Sequence, residues 1–149
     1  MKKFFTLLLA GLMVFALAAC SKSDPQTVTL FIEESGVTSY YTMEADGDIV
    51  HTIKQVTSMD CTGFTEEQFA IIDESVAEYK EIYEAIEGFT YNVEVTDTAM
   101  TETITIDVSN ETTVSTLSEQ GLMPVEGEGA ISLEKTVESM TEQGWVVQE

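Results

Sequence analysis

Apolar and polar residues alternate along most of the first half of the chain and recur every three or four residues further on. From Gln26 to Glu34, Val28, Leu30 and Ile32 fall on one side, with Thr27, Thr29 and Phe31 on the other. This is the period of a strand. Ser35-Gly36 breaks the run, and Val37 to Ala45, rich in Thr and Tyr, predicts a second strand. Asp46-Gly47-Asp48 reads as a hairpin turn, because Asp and Gly accept the positive φ that tight hairpins demand. Ile49 to Met59 predicts a third strand, with Ile49, His51 and Ile53 on one face. The first half is therefore expected to be an antiparallel meander.

The period then lengthens. Phe64-Thr65-Glu66-Glu67-Gln68 has the makings of a helix start: Thr65 caps, Gln68 completes a capping box, and Glu66 and Glu67 suit the positive end of the helix dipole. Phe69, Ile72, Val76, Tyr79, Tyr83 and Ile86 make one apolar stripe, Lys80 and Glu84 form an i,i+4 pair, and Gly88 is the expected C′ residue. Alternation returns from Phe89 to Thr96, with Tyr91, Val93 and Val95 on one side. It continues from Thr101 to Val108, where Thr103 and Thr105 oppose Ile104, Ile106 and Val108. With a turn at Asp97-Thr98-Ala99-Met100, these runs predict a second hairpin. Asn110 to Gly121 carries a short helical pattern through Val114 and Leu117, and Pro124 to Gly129 reads as a loop. Ser132 caps an expected helix to Gln143 with Leu133, Val137 and Met140 inward; Gly144 stops it, and Trp145-Val146-Val147 follows as a short strand or apolar tail. No internal repeat is present, although each half contains a hairpin followed by a helix.

The N-terminus has a different character. Met1-Lys2-Lys3 is basic, Phe4 to Phe15 is apolar apart from Thr6, and Leu17-Ala18-Ala19-Cys20 closes the segment. The apolar run is shorter than the ~20 residues of a permanent spanning helix and has the layout of a secretory signal. The four closing residues resemble the processing site of bacterial lipoproteins. That resemblance implies cleavage between Ala19 and Cys20 and a diacylglycerol on the Cys20 sulfur. An ordinary signal cut near Ala19, or an uncleaved helix, is the alternative. The expected organisation is a signal peptide over residues 1–19, a lipidated cysteine and polar tether over 20–27, and a single domain over 28–149. The tether, Ser21 to Gln26, has a random-coil reach of about 10–15 Å.

Composition narrows the partners. All 27 Asp and Glu follow Cys20, against four lysines and no arginine, a formal charge of −23 on that part. Nucleic acid is excluded as a partner, since its binding needs Lys and Arg at the phosphates. Anionic headgroups offer no attraction either, so attachment to the cell membrane, on its extracytoplasmic face, falls to the lipid on Cys20. With Cys20 acylated, Cys61 has no disulfide partner and is expected to be a buried, inert thiol.

Candidate chemistry is sparse. His51 is the single histidine, and His51 with Cys61 as a base and nucleophile pair would have to span about ten strand residues, roughly 30 Å. Asp46-Gly47-Asp48 lacks the regular oxygen ligands of a calcium loop, and Glu126-Gly127-Glu128 is a weaker cation candidate. No nucleophile elbow, phosphate loop or dinucleotide motif is present. Phe31, Tyr40, Tyr41 and Tyr91 are either core residues or the lining of a binding surface on the sheet.

The chain as a whole resembles the YehR-like small lipoproteins, a bacterial family of undetermined function. The resemblance runs through the lipobox, the hairpin at Gly47-Asp48, Ile86-Glu87-Gly88, Phe89-Thr90-Tyr91 and Glu102-Thr103-Ile104-Thr105-Ile106-Asp107. It continues through Ile131-Ser132-Leu133 and Gly144-Trp145. It implies an α+β domain, an antiparallel sheet of two hairpins or a meander with two main helices on one face, and it transfers no catalytic residue. The expected function is a membrane-anchored, non-enzymatic binding or accessory domain without a cofactor, using an open sheet face carrying Thr and Tyr toward an unknown protein or small-molecule ligand. The alternatives are an extracytoplasmic hydrolase with paired carboxylates and a divalent-cation-binding domain.

Overall fold

The structure, a computed structural model, describes residues 13–14, 24–120, 125–126 and 130–148. Strands β1 (Pro25–Glu34), β2 (Val37–Asp46) and β3 (Ile49–Asp60) form the meander. Helix α1 (Glu66–Glu84) follows, then the hairpin of β4 (Phe89–Val95) and β5 (Ala99–Asp107). Helices α2 (Glu111–Glu119) and α3 (Leu133–Glu142) and the short β6 (Val146–Val147) complete the domain. The six strands make one antiparallel sheet in the order β4-β5-β3-β2-β1-β6. Met13–Val14 and Val125–Glu126 pair in parallel with each other outside this sheet. The expected lipidation and cleavage residues, Cys20 and Ala19, and most of the Pro124–Gly129 loop lie outside the described residues.

Every buried strand residue lies on one face of the sheet. Leu30, Tyr41, Met43, Ile53, Ile104 and Ile106 meet Tyr83 and Ile86 from α1 and its C-terminal turn, Leu117 from α2, and Leu133 and Met140 from α3. Each such side chain contributes roughly 1.5–3 kcal/mol by leaving water. The covering layer holds three helices: the two main ones expected, α1 and α3, and the short α2 anticipated over Asn110 to Gly121, which Asn110 caps by accepting from the N–H groups of Thr112 and Thr113. A second, smaller cluster of Cys61, Ile72 and Met100 closes the far end of the sheet.

Local signals act as expected at most element ends. Thr65 Oγ1 accepts from Gln68 N while Gln68 Oε1 accepts from Thr65 N, a complete capping box. Gly47 has φ 60° in the two-residue turn between β2 and β3. Lys80 and Glu84 meet at 3.7 Å on an exposed surface, an arrangement worth at most about 0.5 kcal/mol.

Three expectations need correction. The helix α1 ends at Glu84 with Ala85 as its cap, so Gly88 is not its C′ residue. Gly88 instead turns the chain into β4 at φ 74°, and an added Cβ would stand 2.7 Å from Thr113 Oγ1, so α2 also demands glycine there. The first strand begins earlier than expected, because Pro25 to Thr27 already belong to β1 and Gln26 Nε2 donates to the Gly47 carbonyl. Ile49, His51 and Ile53 do not share a face. Glu44 pairs with Thr52 and Ala45 with Val50, leaving His51 as the extra residue of a bulge. Val50 and Ile53 therefore both point into the core, and Ile49 is turned outward.

The β2–β3 turn also holds α3 in place. Asp48 Oδ2 accepts from Ser132 Oγ at 2.7 Å, Asp48 Oδ1 accepts from Glu134 N at 2.7 Å, and the Asp48 carbonyl accepts from Leu133 N. A carboxylate at these first-turn donors satisfies groups that the helix itself cannot and favours its dipole. Asp48→Ala is expected to lower stability by about 1–3 kcal/mol, read as a lower denaturant midpoint at unchanged m value. Asp48→Asn, which keeps one acceptor, is expected to lose less.

Candidate functional site

The second face of the sheet is built from the alternate residues of the same strands. Registry sets them in rows. Thr29, Thr42, Lys54, Thr105 and Thr90 make one row. Val146, Phe31, Tyr40, Val56, Thr103 and Asn92 make the next, and Glu33, Thr38, Ser58, Thr101 and Glu94 the third. All these residues are half-buried or exposed. The rings of Phe31 and Tyr40 lie 5.1 Å apart. Of the four aromatic residues named from the sequence, Phe31 and Tyr40 belong to this open face, while Tyr41 and Tyr91 are core residues.

The covered face carries an unexpected polar group. Its rows Tyr41–Gln55–Ile104–Tyr91 and Ser39–Thr57–Glu102–Val93 place six polar side chains side by side beneath the helices. Ser39 Oγ and Thr57 Oγ1 share a hydrogen bond of 2.9 Å, and Gln55 Nε2 donates to Thr57 Oγ1 at 3.3 Å. Glu102 is only 2% exposed, and among the described residues its Oε2 and the hydroxyls of Tyr41 and Tyr91 find no hydrogen-bond partner. Tyr83 of α1 forms the lid, its ring 5.1 Å from that of Tyr91, 4.5 Å from Phe89 and 5.8 Å from Tyr79.

Burial is the main cause of the shifts in this cluster. It pushes the Glu102 carboxyl up to about 7, and the nearby Tyr91 hydroxyl draws it partly back without reaching hydrogen-bond geometry. Burial, with the Glu102 charge behind it, raises Tyr83 to about 12 and Tyr91 further still. Tyr41 is raised by burial alone. The cluster can hold or release one proton near neutral pH but is closed to a substrate. The sequence reading did not single out Glu102. The signal was there: it stands two residues before Ile104 and four before Ile106, on the apolar side of its strand.

The remaining candidates separate. Cys61 is fully buried against Ile72 and Met100, its thiol 3.6 Å from the Met59 carbonyl, and burial pushes its pKa up. His51 is half-buried in the bulge with Nδ1 3.0 Å from Thr52 Oγ1, at the opposite end of β3. The two are not brought together. Asp48 is taken up by α3. Among the described residues no three His, Cys, Asp or Glu side chains gather closely enough to hold a metal ion.

Fold and site together define a small α+β domain with one helix-covered sheet face, one open face and a carboxyl sealed in its core. The chain belongs to DUF1307, described as a protein of unknown function, whose pattern matches residues 26–146. Its structure is similar to the NMR structure of the YehR protein of Escherichia coli, with TM-score 0.60, 19% identity and coverage of 85% of this chain and 93% of that one. It is also similar to the NMR structure of a protein from Streptococcus pneumoniae TIGR4, with TM-score 0.53, 14% identity and coverage of 89% and 90%. At these identities the likeness is one of fold. No curated protein matches the chain.

Proposed function

We infer that this family member is a membrane-anchored extracytoplasmic lipoprotein whose domain binds a partner and does not itself catalyse a reaction. The observation that carries the binding role is the open face of the sheet, which leaves Tyr40 40% and Val146 59% exposed. Anchoring is supported by the basic, apolar and small-residue order of the N-terminus up to Leu17-Ala18-Ala19-Cys20. β1 begins at Pro25, so the segment from Ser21 to Asp24 has a reach of about 10 Å and keeps the domain close to the bilayer surface. Acyl chains hold such a domain through about 0.8 kcal/mol per buried methylene, against the repulsion of its own acidic charge. Hydrolysis by paired carboxylates finds no support in Glu102, whose carboxyl is raised by burial but enclosed beneath the helices.

Cys20→Ala in the full-length protein is the test of anchoring. The variant is expected to leave the membrane fraction or to accumulate as unprocessed precursor, seen by fractionation and by mass. Unchanged retention of a processed, detergent-extractable protein would refute the lipid anchor. The binding role is tested by capture from native membranes with the wild-type protein and Tyr40→Ala. Identical captured material from both would remove the open face as the contact surface.

A further inference from the structure

The open face is more than an uncovered surface. Val146, Phe31, Tyr40 and Val56 form a continuous apolar stripe across four adjacent strands, about 15 Å long at the usual strand spacing. The rings of Phe31 and Tyr40 are tilted by 46° and make a ridge along it. On both sides the stripe is lined by hydroxyl residues. Thr29 and Thr42 are joined at 3.0 Å on one side, and Ser58 and Thr101 at 3.0 Å on the other. Such pairing orients the hydroxyls and still leaves acceptor lone pairs on each. In a chain with 27 acidic residues, the three central rows hold one cation, Lys54, and only Glu33 and Glu94 as anions, both at row ends.

An apolar ridge between lines of hydroxyls has the chemistry of a sugar chain, whose rings present a C–H face and a rim of hydroxyl groups. We propose that this face binds an uncharged glycan chain, its sugar rings laid along the stripe centred on Tyr40 and Phe31. The proposal rests on the anchored binding domain argued above and names its ligand class. Charge selects the neutral polymer. The acidic domain repels a polyanion, and the nearly neutral rows give a polycation no line of carboxylates to follow. A second copy of this chain is a worse occupant. A stripe of four residues falls short of the ~800 Å² per partner, about 20–30 residues a side, of a stable interface, and both copies would carry the same charge.

The protein extracted from membranes in detergent is to be incubated with insoluble chitin and with amorphous cellulose, both uncharged, at low and high salt. Retention on at least one polymer, insensitive to salt, is expected. Tyr40→Ala should weaken it about tenfold, equivalent to about 1.4 kcal/mol, Phe31→Ala should weaken it as well, and Tyr40→Trp should preserve it. Unchanged thermal unfolding of the variants shows that the fold is intact. No retention on either polymer, retention abolished by salt, or retention indifferent to both alanine substitutions would overturn the glycan proposal. Capture from native membranes separates the two levels. If wild type fails on both polymers but captures a protein that Tyr40→Ala loses, the ligand class is wrong and the contact surface stands. If Tyr40→Ala alters neither assay, both fall.

Discussion

Glu102→Gln is expected to stabilise the protein by about 3 kcal/mol at pH 8 and to change little at pH 4. The sign follows from where the proton sits. An unfolded chain releases the proton of this glutamate near the ordinary value of 4.5, whereas the folded protein keeps it until about 7. Between those values the native state binds more protons than the unfolded state, so stability falls as pH rises. Below the lower value both states are protonated and no penalty exists. Above the upper one the full cost of a buried carboxylate is present, about 1.36 kcal/mol for each pKa unit. Glutamine keeps the shape and never ionises. The measurement is the difference in unfolding free energy between wild type and variant from pH 4 to 9. That difference should grow between about 4.5 and 7 and then level off. General charge repulsion in this acidic chain also weakens both proteins as pH rises, but it cancels in the difference. A difference constant over the whole range would show that Glu102 is not the titrating group.

Removing the lid over that carboxyl should have the larger direct cost. Tyr83→Ala is expected to lose about 3–5 kcal/mol, because the ring joins α1 to the sheet through Phe89 and Tyr91 and stacks on Tyr79. Aromatic contacts of this kind add to simple area burial. The two substitutions should also be coupled. Water admitted through the gap left by Tyr83 solvates Glu102, which lowers its pKa and shrinks the benefit of Glu102→Gln at pH 8. The double variant should therefore be less stable than the sum of the single effects, by an amount in the 0.5–3 kcal/mol range of touching residues. Strict additivity would mean that α1 does not control the environment of Glu102. In that case another element must exclude water from it.

These two residues show where sequence reasoning stops. Tyr83 was legible, since the stripe from Phe69 to Ile86 repeats every three or four residues and marks the buried side of α1. Glu102 was legible only as a strand residue. Alternation puts it with Ile104 and Ile106, but a carboxylate beside an apolar row more often marks the solvent rim than the centre of a core. Only the placement of α1 over β4 and β5 encloses it. His51 shows the same limit at smaller scale. A bulge shifts registry by one residue, and nothing in the run Ile49 to Ile53 shows that its partner β2 is one residue short there.

Asp48 is intermediate. Its place in a hairpin turn was evident from Asp46-Gly47-Asp48, while its hold on α3 depends on Ser132 and Glu134, far along the chain. The open face has the same divided origin. In β1, β2 and β5 the sequence by itself shows Thr opposite the core-facing side. The strand order β4-β5-β3-β2-β1-β6 then aligns Val146, Phe31, Tyr40 and Val56 in one row.

By itself the sequence determined most of the elements, the capping box at Thr65, the hairpin at Gly47, the core-facing sides of β1, β4 and β5 and the acidic character of the chain. Each of these rests on interactions between residues a few positions apart, or on composition. Only the tertiary structure decided that three helices cover one face and leave the other open, that Glu102 is sealed beneath Tyr83, and that Cys61 and His51 stand apart. Those facts depend on which distant segments lie against each other, and burial, which sets the Glu102 pKa, is a property of that arrangement.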